Sequence, residues 1–260
     1  MATKFNFMKQ LITSNFKNNI RSLLNKRGLK IVENEVREFF SYSGEDAFVQ
    51  WYFNRKAWKY LNCKYPKNGF YVDVGSFHPI NISNTYWFYK KGWRGINIDA
   101  NPQTKELFDS KRPQDINLHL AVSDEEKELV FYSWGKSALN TLSEDLVKKY
   151  VQEGKRQPNE IKLKTMRLDS ILDKYLPANQ EISFLSVDVE GHDLEVLKSN
   201  NWDKYRPELV LVEELNDDIH QLINSPIAHL MKDVDYAMIA WTPPTVIYVN
   251  KRSVTEPFWI

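Results

Sequence analysis

Apolar runs rich in β-branched residues alternate with short helical segments from Gly69 onward, and this alternation constrains the fold more than any other feature. Five of these runs are typical of buried strands, and in chain order they are GFYVDVG, WRGINIDA, INLHLAVS, ISFLSVDVE and ELVLVEEL. The helical segments between them carry start signals such as Ser83, Pro102 and Ser143. The pattern predicts an α/β fold with a mostly parallel sheet covered on both faces.

Further strand patterns lie outside this alternation. KELVFYSW and IKLKTMRL, at residues 127–134 and 161–168, are expected to pair with each other. YAMIAWTPPTVIYVN, at residues 236–250, predicts a terminal antiparallel hairpin that turns at Pro243–Pro244. We therefore expect one α/β domain over residues 66–260, preceded by a helical N-terminal extension over residues 1–65.

The N-terminal extension is basic and amphipathic. Seven Lys and Arg residues precede the first acidic residue, Glu33, and apolar residues from Phe5 to Leu24 recur at spacings of three and four. One interpretation is a helix that packs on the domain or on a second subunit in a homodimer. The other is a basic helix that contacts an anionic membrane or a glycan-assembly partner. The sequence leaves both open.

Composition excludes several classes of protein. The chain has 260 residues, 42% of them hydrophobic and 27% charged, and a net charge of +1, which gives no general attraction to nucleic acid. Cys63 is the only cysteine, so disulfides within the chain and a cysteine-rich zinc site are excluded. Apolar stretches of membrane-spanning length and the apolar core of a signal peptide are absent from the sequence. We expect a cytoplasmic protein, with peripheral attachment to the inner face of the membrane as the alternative.

The loop after the first strand, in FYVDVGSFHP, indicates the ligand. Gly75 is the single glycine of this loop, whereas a dinucleotide site would need the pattern G-x-G-x-x-G to cradle a pyrophosphate. The second strand ends in Asp99, at a position that suits the two hydroxyls of a ribose in both NAD and S-adenosylmethionine sites. A sulfonium ligand carries no phosphate, so one close backbone approach is sufficient. Asp73 would favour the cationic ammonium and sulfonium end of such a ligand. We therefore predict S-adenosylmethionine as the cofactor.

A set of motifs between residues 40 and 215 carries a more specific resemblance. The set comprises YVDVGSFHPINISNTYWFYKKGWRGINIDANP, HLAVSD, MRLDSIL, FLSVDVEGHDLEVL and ELVLVEEL, with YSGEDAFVQWYF upstream. It resembles the FkbM family of S-adenosylmethionine-dependent O-methyltransferases. The resemblance implies a class I, Rossmann-like methyltransferase fold with a seven-stranded sheet in the order 3-2-1-4-5-7-6. It also implies methyl transfer to a hydroxyl, commonly on a sugar of a polysaccharide, glycolipid or secondary metabolite.

The resemblance also implies a set of cofactor contacts, among which Ser83 and Asn84 begin the helix that faces the methionine moiety. The sequence departs from many members at His192–Asp193, where they carry a small residue followed by Glu. The predicted cofactor-binding residues are Asp73, Gly75, Ser76, His78, Ser83, Asn84, Asp99, Ala100, Ala121, Val122, Ser123 and Asp188.

Methyl transfer to a hydroxyl needs alignment of the acceptor and removal of a proton from a weak acid. Asp188, Glu213 and Glu214 follow two neighbouring strands, and together they resemble the Mg²⁺ site of metal-dependent O-methyltransferases, with Glu190 as the alternative to Glu214 for completing the site. Their carboxylates suit Mg²⁺ or Mn²⁺, or they bind substrate hydroxyls without metal. His192 is the first choice of base because imidazole titrates near neutral pH, and Glu190 or a metal-bound water is the alternative.

We therefore expect an enzyme that methylates a hydroxyl of a sugar, either a nucleotide sugar or a unit of a surface or capsular polysaccharide. Two alternatives stay open: an O-methyltransferase of a non-sugar secondary metabolite, and a non-catalytic glycan-binding or scaffolding protein that retains the fold. The acidic rim that begins at Asp188 is unfavourable for nucleic-acid phosphates, so we expect no nucleic-acid partner.

Overall fold

The computed structural model describes residues 38–54, 68–216 and 218–253. Of the chain's two compact units, Met1–Arg37 and Glu38–Ile260, the description concerns the second. The helices are α1 (Glu45–Phe53), α2 (Tyr86–Lys90), α3 (Pro102–Lys111), α4 (Glu144–Gln152), α5 (Leu168–Tyr175), α6 (Asp193–Lys198), α7 (Ile219–Leu222) and α8 (Pro226–Asp233). The strands are β1 (Phe70–Val74), β2 (Arg94–Asp99), β3 (Ile116–His119), β4 (Ala121–Val122), β5 (Glu128–Ser133), β6 (Asn159–Met166), β7 (Phe184–Val187), β8 (Leu209–Glu213), β9 (Tyr236–Thr242) and β10 (Thr245–Asn250).

The main sheet has seven strands in the order β3-β2-β1-β7-β8-β10-β9. The first five strands are mutually parallel, and β10 pairs antiparallel with both β8 and β9. Numbered within this sheet, the order is 3-2-1-4-5-7-6, which confirms the predicted class I topology and its terminal hairpin. The strands that carry the predicted site residues therefore end at one edge of the sheet.

A smaller sheet, in the order β4-β6-β5, lies between the third and fourth strands of the main sheet in the chain. Its β5 and β6 pair antiparallel, as the sequence predicts. The prediction of a single strand over INLHLAVS is wrong, because that run divides after His119. Its first half pairs with β2, whereas Ala121 and Val122 pair with Thr165 and Met166 of β6.

Both faces of the sheet are covered, which explains the nearly continuous apolar runs. All five residues of β1 are buried, with Val72 in one hydrophobic cluster and Tyr71 in the other. Helix α1 adds Val49 and Tyr52 to the second cluster. This helix belongs to the stretch that the sequence assigns to the N-terminal extension, yet it packs on the sheet. The boundary at residue 65 stays a prediction, and the stretch for which a basic helix is predicted lies outside the described residues.

Helix starts follow the expected chemistry. The hydroxyl of Ser143 accepts a hydrogen bond from the Leu146 amide at the start of α4, as predicted. Asn101 caps α3, where Pro102 is the first helical residue. Ser83 lies three residues before α2 and accepts from the Tyr86 amide at 3.2 Å. None of the helices in the described ranges is long and apolar enough to cross a membrane.

Candidate active site

Gly75 joins the loops that follow β1 and β7. Its φ of 81° lies in the left-handed region, and a Cβ at this position would lie 1.6 Å from the backbone carbonyl oxygen of Asp188. Its amide also donates to the Ile98 carbonyl oxygen at 2.9 Å. Glycine is required here both by the backbone conformation and by the close approach of the β7 loop. The two loops therefore meet directly at the edge of the sheet.

Asp99 is fixed at the end of β2 by two backbone amides. Its Oδ2 accepts from the Phe77 amide at 2.9 Å, and its Oδ1 accepts from the Asn101 amide at 2.7 Å. Burial raises the pKa of this carboxyl, and the two amide bonds oppose that rise. An ionised carboxylate has about four acceptor sites. Asp99 therefore retains capacity for the hydroxyls of a bound ribose.

Asp73 lies one residue before the end of β1 and is buried. Its Oδ2 accepts from the Thr85 hydroxyl at 2.8 Å. Burial raises the pKa of Asp73 to about 6, although the Thr85 hydrogen bond and the charge of Arg112 act in the opposite direction. The carboxylate is thus held by a side chain from the start of α2.

A cavity of about 570 Å³ opens between the β1 loop, the end of β2 and the β7 loop. This volume lies within the range of roughly 300–1,000 Å³ that is usual for small-molecule sites. The predicted site residues that line it are Gly75, His78, Asp99, Ala100, Ala121, Val122, Asp188 and Glu190.

Eight predicted residues lie outside this lining: Asp73, Ser76, Ser83, Asn84, Ser123, His192, Glu213 and Glu214. The polar groups of several of them have partners within the protein. Ser83 accepts from Arg112 at 2.7 Å, and Asn84 donates to the Ser186 hydroxyl at 3.1 Å. Ser76 is buried and its amide donates to the Ile98 carbonyl. The roles of Ser76, Ser83 and Asn84 in cofactor binding therefore stay predictions.

Three carboxylates form a cluster at the ends of β7 and β8. One oxygen each from Asp188, Glu190 and Glu213 lie within 4.8 Å of one another. Asp188 is exposed where it lines the cavity, yet desolvation by the surrounding protein and then the charge of Glu190 raise its pKa. Burial together with both other acids raises the pKa of Glu213. Glu213 Oε2 is buried and has no hydrogen-bond partner among the described residues. A divalent cation bound here would supply the missing partner and offset the mutual repulsion, so the residues fit a hard cation.

Glu214 does not join this cluster, contrary to the ligand set expected from the sequence. Its Oε1 accepts from the Tyr248 hydroxyl at 3.0 Å, and Ser225 also hydrogen-bonds to its carboxylate. Glu214 lies directly after β8, and these contacts hold its carboxylate outside the three-acid cluster. Glu190, the alternative that the sequence offers for the third ligand, lies in the cluster with Asp188 and Glu213.

The β7 loop holds Glu190 in an unusual backbone conformation, with a φ of 53°. The Thr141 hydroxyl donates to the Glu190 carbonyl oxygen at 2.6 Å, and the Tyr150 hydroxyl donates to its carboxylate at 3.2 Å. Asp193 accepts from the amides of Val189 and Gly191, each at 3.0 Å. Burial raises the pKa of Glu190 to about 7. Residues after β5 and at the start of α6 thus restrain the loop that carries the acids.

His192, the predicted base, lies just beyond this loop. Its Nε2 lies 2.9 Å from the Ser123 hydroxyl, and its Nδ1 lies 3.8 Å from a carboxylate oxygen of Glu195. Burial lowers its pKa. The ring is therefore paired with groups outside the cavity lining, and its catalytic role stays a prediction.

One wall of the cavity could not be predicted from the sequence, and it is formed by the segment between β5 and α4. Asn101, at the cap of α3, donates to the Gly135 carbonyl oxygen at 3.1 Å and so ties this segment to the end of β2. The position of this segment follows from the pairing of β5 with β6, since the segment belongs to the connection between those two strands. The lining residues of this segment are Lys136, Ser137, Ala138, Asn140, Thr141 and Leu142.

Residues 73–236 match the family model described as "Methyltransferase FkbM domain". A structure of the methyltransferase FkbM from Methylobacillus flagellatus KT is similar at 13% identity and a TM-score of 0.42, over 70% of this chain and 44% of that chain. The chain thus spans less than half of that relative's length. Curated proteins give no match. Because the family match covers more than half of the sequence, this chain belongs to the FkbM methyltransferase domain family.

Proposed function

We propose that this protein transfers a methyl group from S-adenosylmethionine to a hydroxyl of a sugar, with help from a divalent cation. The observation that carries the proposal is the position of Asp188 and Glu190. Both line the cavity, whose other wall contains Asp99, and both lie within 4.8 Å of Glu213 at their carboxylate oxygens. The acid that we propose for the ribose and the cluster that we propose for the cation thus flank one cavity.

S-Adenosylmethionine supplies an activated methyl group, so the protein needs only to orient the acceptor and remove its proton. Asp99 would accept hydrogen bonds from the ribose hydroxyls, since two backbone amides hold its carboxylate in place. The single glycine at position 75 and the lack of a glycine-rich cradle support a ligand without phosphate. Asp73 would favour the cationic end of the ligand by its charge.

The acid cluster would hold Mg²⁺ or Mn²⁺ through Asp188, Glu190 and Glu213. Such a cation lowers the pKa of a hydroxyl that binds to it. Vicinal sugar hydroxyls offer two oxygen ligands in a fixed arrangement, whereas an isolated alcohol offers one. The acceptor we propose is therefore a sugar with neighbouring hydroxyls, in a nucleotide sugar or a surface polysaccharide unit.

We assign the proton acceptor to Glu190 within this proposal. Its carboxylate lines the cavity next to Asp188, whereas His192 is paired with Ser123 outside the lining. Tyr150 donates to the Glu190 carboxylate and holds it in position. A base must lie within hydrogen-bond reach of the proton that it removes.

The cellular setting follows from the same chemistry. S-Adenosylmethionine and nucleotide sugars are cytoplasmic metabolites, so we propose a cytoplasmic enzyme whose partners are sugar or glycan acceptors. The N-terminal segment, for which a basic helix is predicted, would attach the protein to a membrane or form a homodimer. That segment lies outside the described residues.

A methyl-transfer screen tests the proposal. Purified protein would be incubated with methyl-labelled S-adenosylmethionine, Mg²⁺ and a panel of nucleotide-linked hexoses, heptoses and deoxysugars. Hydroxylated aromatic metabolites would form a second panel, and heat-inactivated protein would be the control. Label transferred to a sugar supports the proposal, and transfer only to the second panel would replace the acceptor class. Sugar binding without any transfer would favour the non-catalytic alternative.

A further inference from the structure

Arg112 is a fully buried cation just beyond α3, and nothing in its local sequence marks it as functional. Its Nε donates to the Pro79 carbonyl oxygen at 2.6 Å, its Nη2 to the Ser83 hydroxyl at 2.7 Å and its Nη1 to the Thr85 hydroxyl at 2.8 Å. All three partners belong to the segment that joins β1 to α2. One side chain therefore fixes the path of the segment that follows the cofactor loop.

Aromatic rings and a buried acid hold the guanidinium itself. The rings of Tyr86, Tyr89 and Phe108 have their centroids 5.0 to 5.6 Å from its central carbon. Asp115 lies 3.9 Å from Nη1, with neither side chain exposed to solvent. A planar fork with several donors can satisfy this set of partners, whereas the single ammonium of lysine cannot reach all of them.

The Thr85 hydroxyl connects Arg112 to Asp73. It accepts from Nη1 of Arg112, so its own hydrogen is available to Asp73 Oδ2, which lies 2.8 Å away. The direction of the hydroxyl is thus set by the arginine. Asp73 receives a directed donor on one oxygen, and the nearby positive charge favours its ionised form.

We propose that Arg112 is a positioning residue for the cofactor, acting through Thr85 on the carboxylate of Asp73. This inference rests on the proposed function, since it takes S-adenosylmethionine as the ligand. Asp73 acts on the cationic methionine end of that ligand, whereas Asp99 acts on the ribose. Loss of the connection should therefore weaken binding of ligands that carry the methionine end and leave ligands without it unaffected.

The test compares Thr85→Val with Thr85→Ser, since valine has the shape of threonine without the hydroxyl and serine retains it. Calorimetric titrations would use two probes, S-adenosylmethionine and 5′-methylthioadenosine, which lacks the amino-acid end. We expect Thr85→Val to raise the Kd for S-adenosylmethionine by about ten-fold, as for loss of a charge-assisted hydrogen bond. Thr85→Ser should stay close to wild type, and 5′-methylthioadenosine should bind all three proteins equally.

Arg112→Lys should show the same selective loss of S-adenosylmethionine binding. Because a substitution at this buried site can also prevent folding, the comparison of Thr85→Val with Thr85→Ser is the decisive test. In an Asp73→Asn background, Thr85→Val should have no further effect on S-adenosylmethionine binding. Equal loss of both probes would show general damage and overturn the inference, as would unchanged S-adenosylmethionine binding by Thr85→Val. Failure of the wild-type protein to bind S-adenosylmethionine would overturn the proposed function, and this inference with it.

Discussion

The α-carbon of Gly75 faces the backbone carbonyl oxygen of Asp188 so closely that a Cβ would lie 1.6 Å from that oxygen. The two residues belong to the loops after β1 and β7, which are adjacent parallel strands. This contact sets the distance between the cofactor loop and the acid cluster. It therefore links the proposed cofactor site to the proposed cation site through backbone atoms alone.

Gly75→Ala should destabilise the domain strongly. The side chain would meet backbone atoms that cannot move independently, and the left-handed φ adds a further cost, for a total of about 2–5 kcal/mol. Gly154→Ala is the matched control, since Gly154 also has a positive φ but open space around it. Urea unfolding should show a loss of about 1–2 kcal/mol for the control. Equal losses for the two variants would contradict the contact.

Asp99→Ala should weaken S-adenosylmethionine binding by about 1–3 kcal/mol, because the ribose hydroxyls lose a charged acceptor. Calorimetry with 5′-methylthioadenosine should show a similar loss, since that ligand keeps the ribose. Glu125→Ala, at an exposed carboxylate paired with Lys127, is the control and should bind as the wild type does. An unchanged Kd for Asp99→Ala would remove Asp99 from the site.

The strands could be predicted because parallel strands buried on both faces leave a clear apolar signal, whereas their order was implied by the resemblance to the FkbM family. β1 is an example, with all five of its residues buried. Asp99 could be located for the same reason, since it directly ends such a run. The division of the third run after His119 could not be predicted, because it depends on pairing with β6, more than forty residues later in the chain.

The side chains of the site were harder to predict. Arg112 was missed because its partners lie 27 to 33 residues earlier, and no local pattern indicates such contacts. The sequence leaves the third cation ligand open between Glu214 and Glu190, because it does not show that Tyr248 and Ser225 hold the Glu214 carboxylate. The hydrogen bond between His192 and Ser123, in contrast, joins residues 69 positions apart in the chain, and no local pattern indicates it.

Asp73→Asn should stabilise the protein at neutral pH. The pKa of Asp73 is raised to about 6 by burial, so the folded state keeps a proton that the unfolded state releases above about pH 4. Wild-type stability should therefore fall between about pH 4 and pH 6, by roughly 3 kcal/mol from this group. Asparagine does not ionise and can still accept from Thr85. Urea unfolding across this range should show that the free energy of unfolding of the variant rises relative to that of the wild type as pH rises. Parallel plots of this free energy against pH for the two proteins would contradict the prediction.

Removal of divalent cations should stop methyl transfer reversibly. EDTA should abolish turnover, and Mg²⁺ or Mn²⁺ should restore it, because the acid cluster would otherwise repel a developing alkoxide. Mn²⁺ binding measured by electron paramagnetic resonance should be lost in Asp188→Asn. Glu214→Gln should still bind Mn²⁺, since that carboxylate is held by Tyr248. Full turnover after exhaustive chelation would refute the metal requirement.

Glu190→Gln should lower turnover by about a hundred-fold or more while S-adenosylmethionine binds as in the wild type, because the carboxylate acts on the acceptor proton. His192→Ala should lower turnover by less than about ten-fold, since its ring is paired with Ser123 and lies outside the cavity lining. Steady-state kinetics on the acceptor identified by the screen would compare the two variants.

Mn²⁺ binding by Glu190→Gln separates two roles of this carboxylate. A variant that binds the cation but does not turn over has lost its proton acceptor, whereas loss of both shows that Glu190 acts as a ligand. Tyr150→Phe is the conservative companion, since it removes only the hydroxyl that donates to Glu190 at 3.2 Å. It should lower kcat and leave the Kd for S-adenosylmethionine unchanged. If His192→Ala loses turnover and Glu190→Gln retains it, the base is His192, and its pairing with Ser123 must break when the acceptor binds.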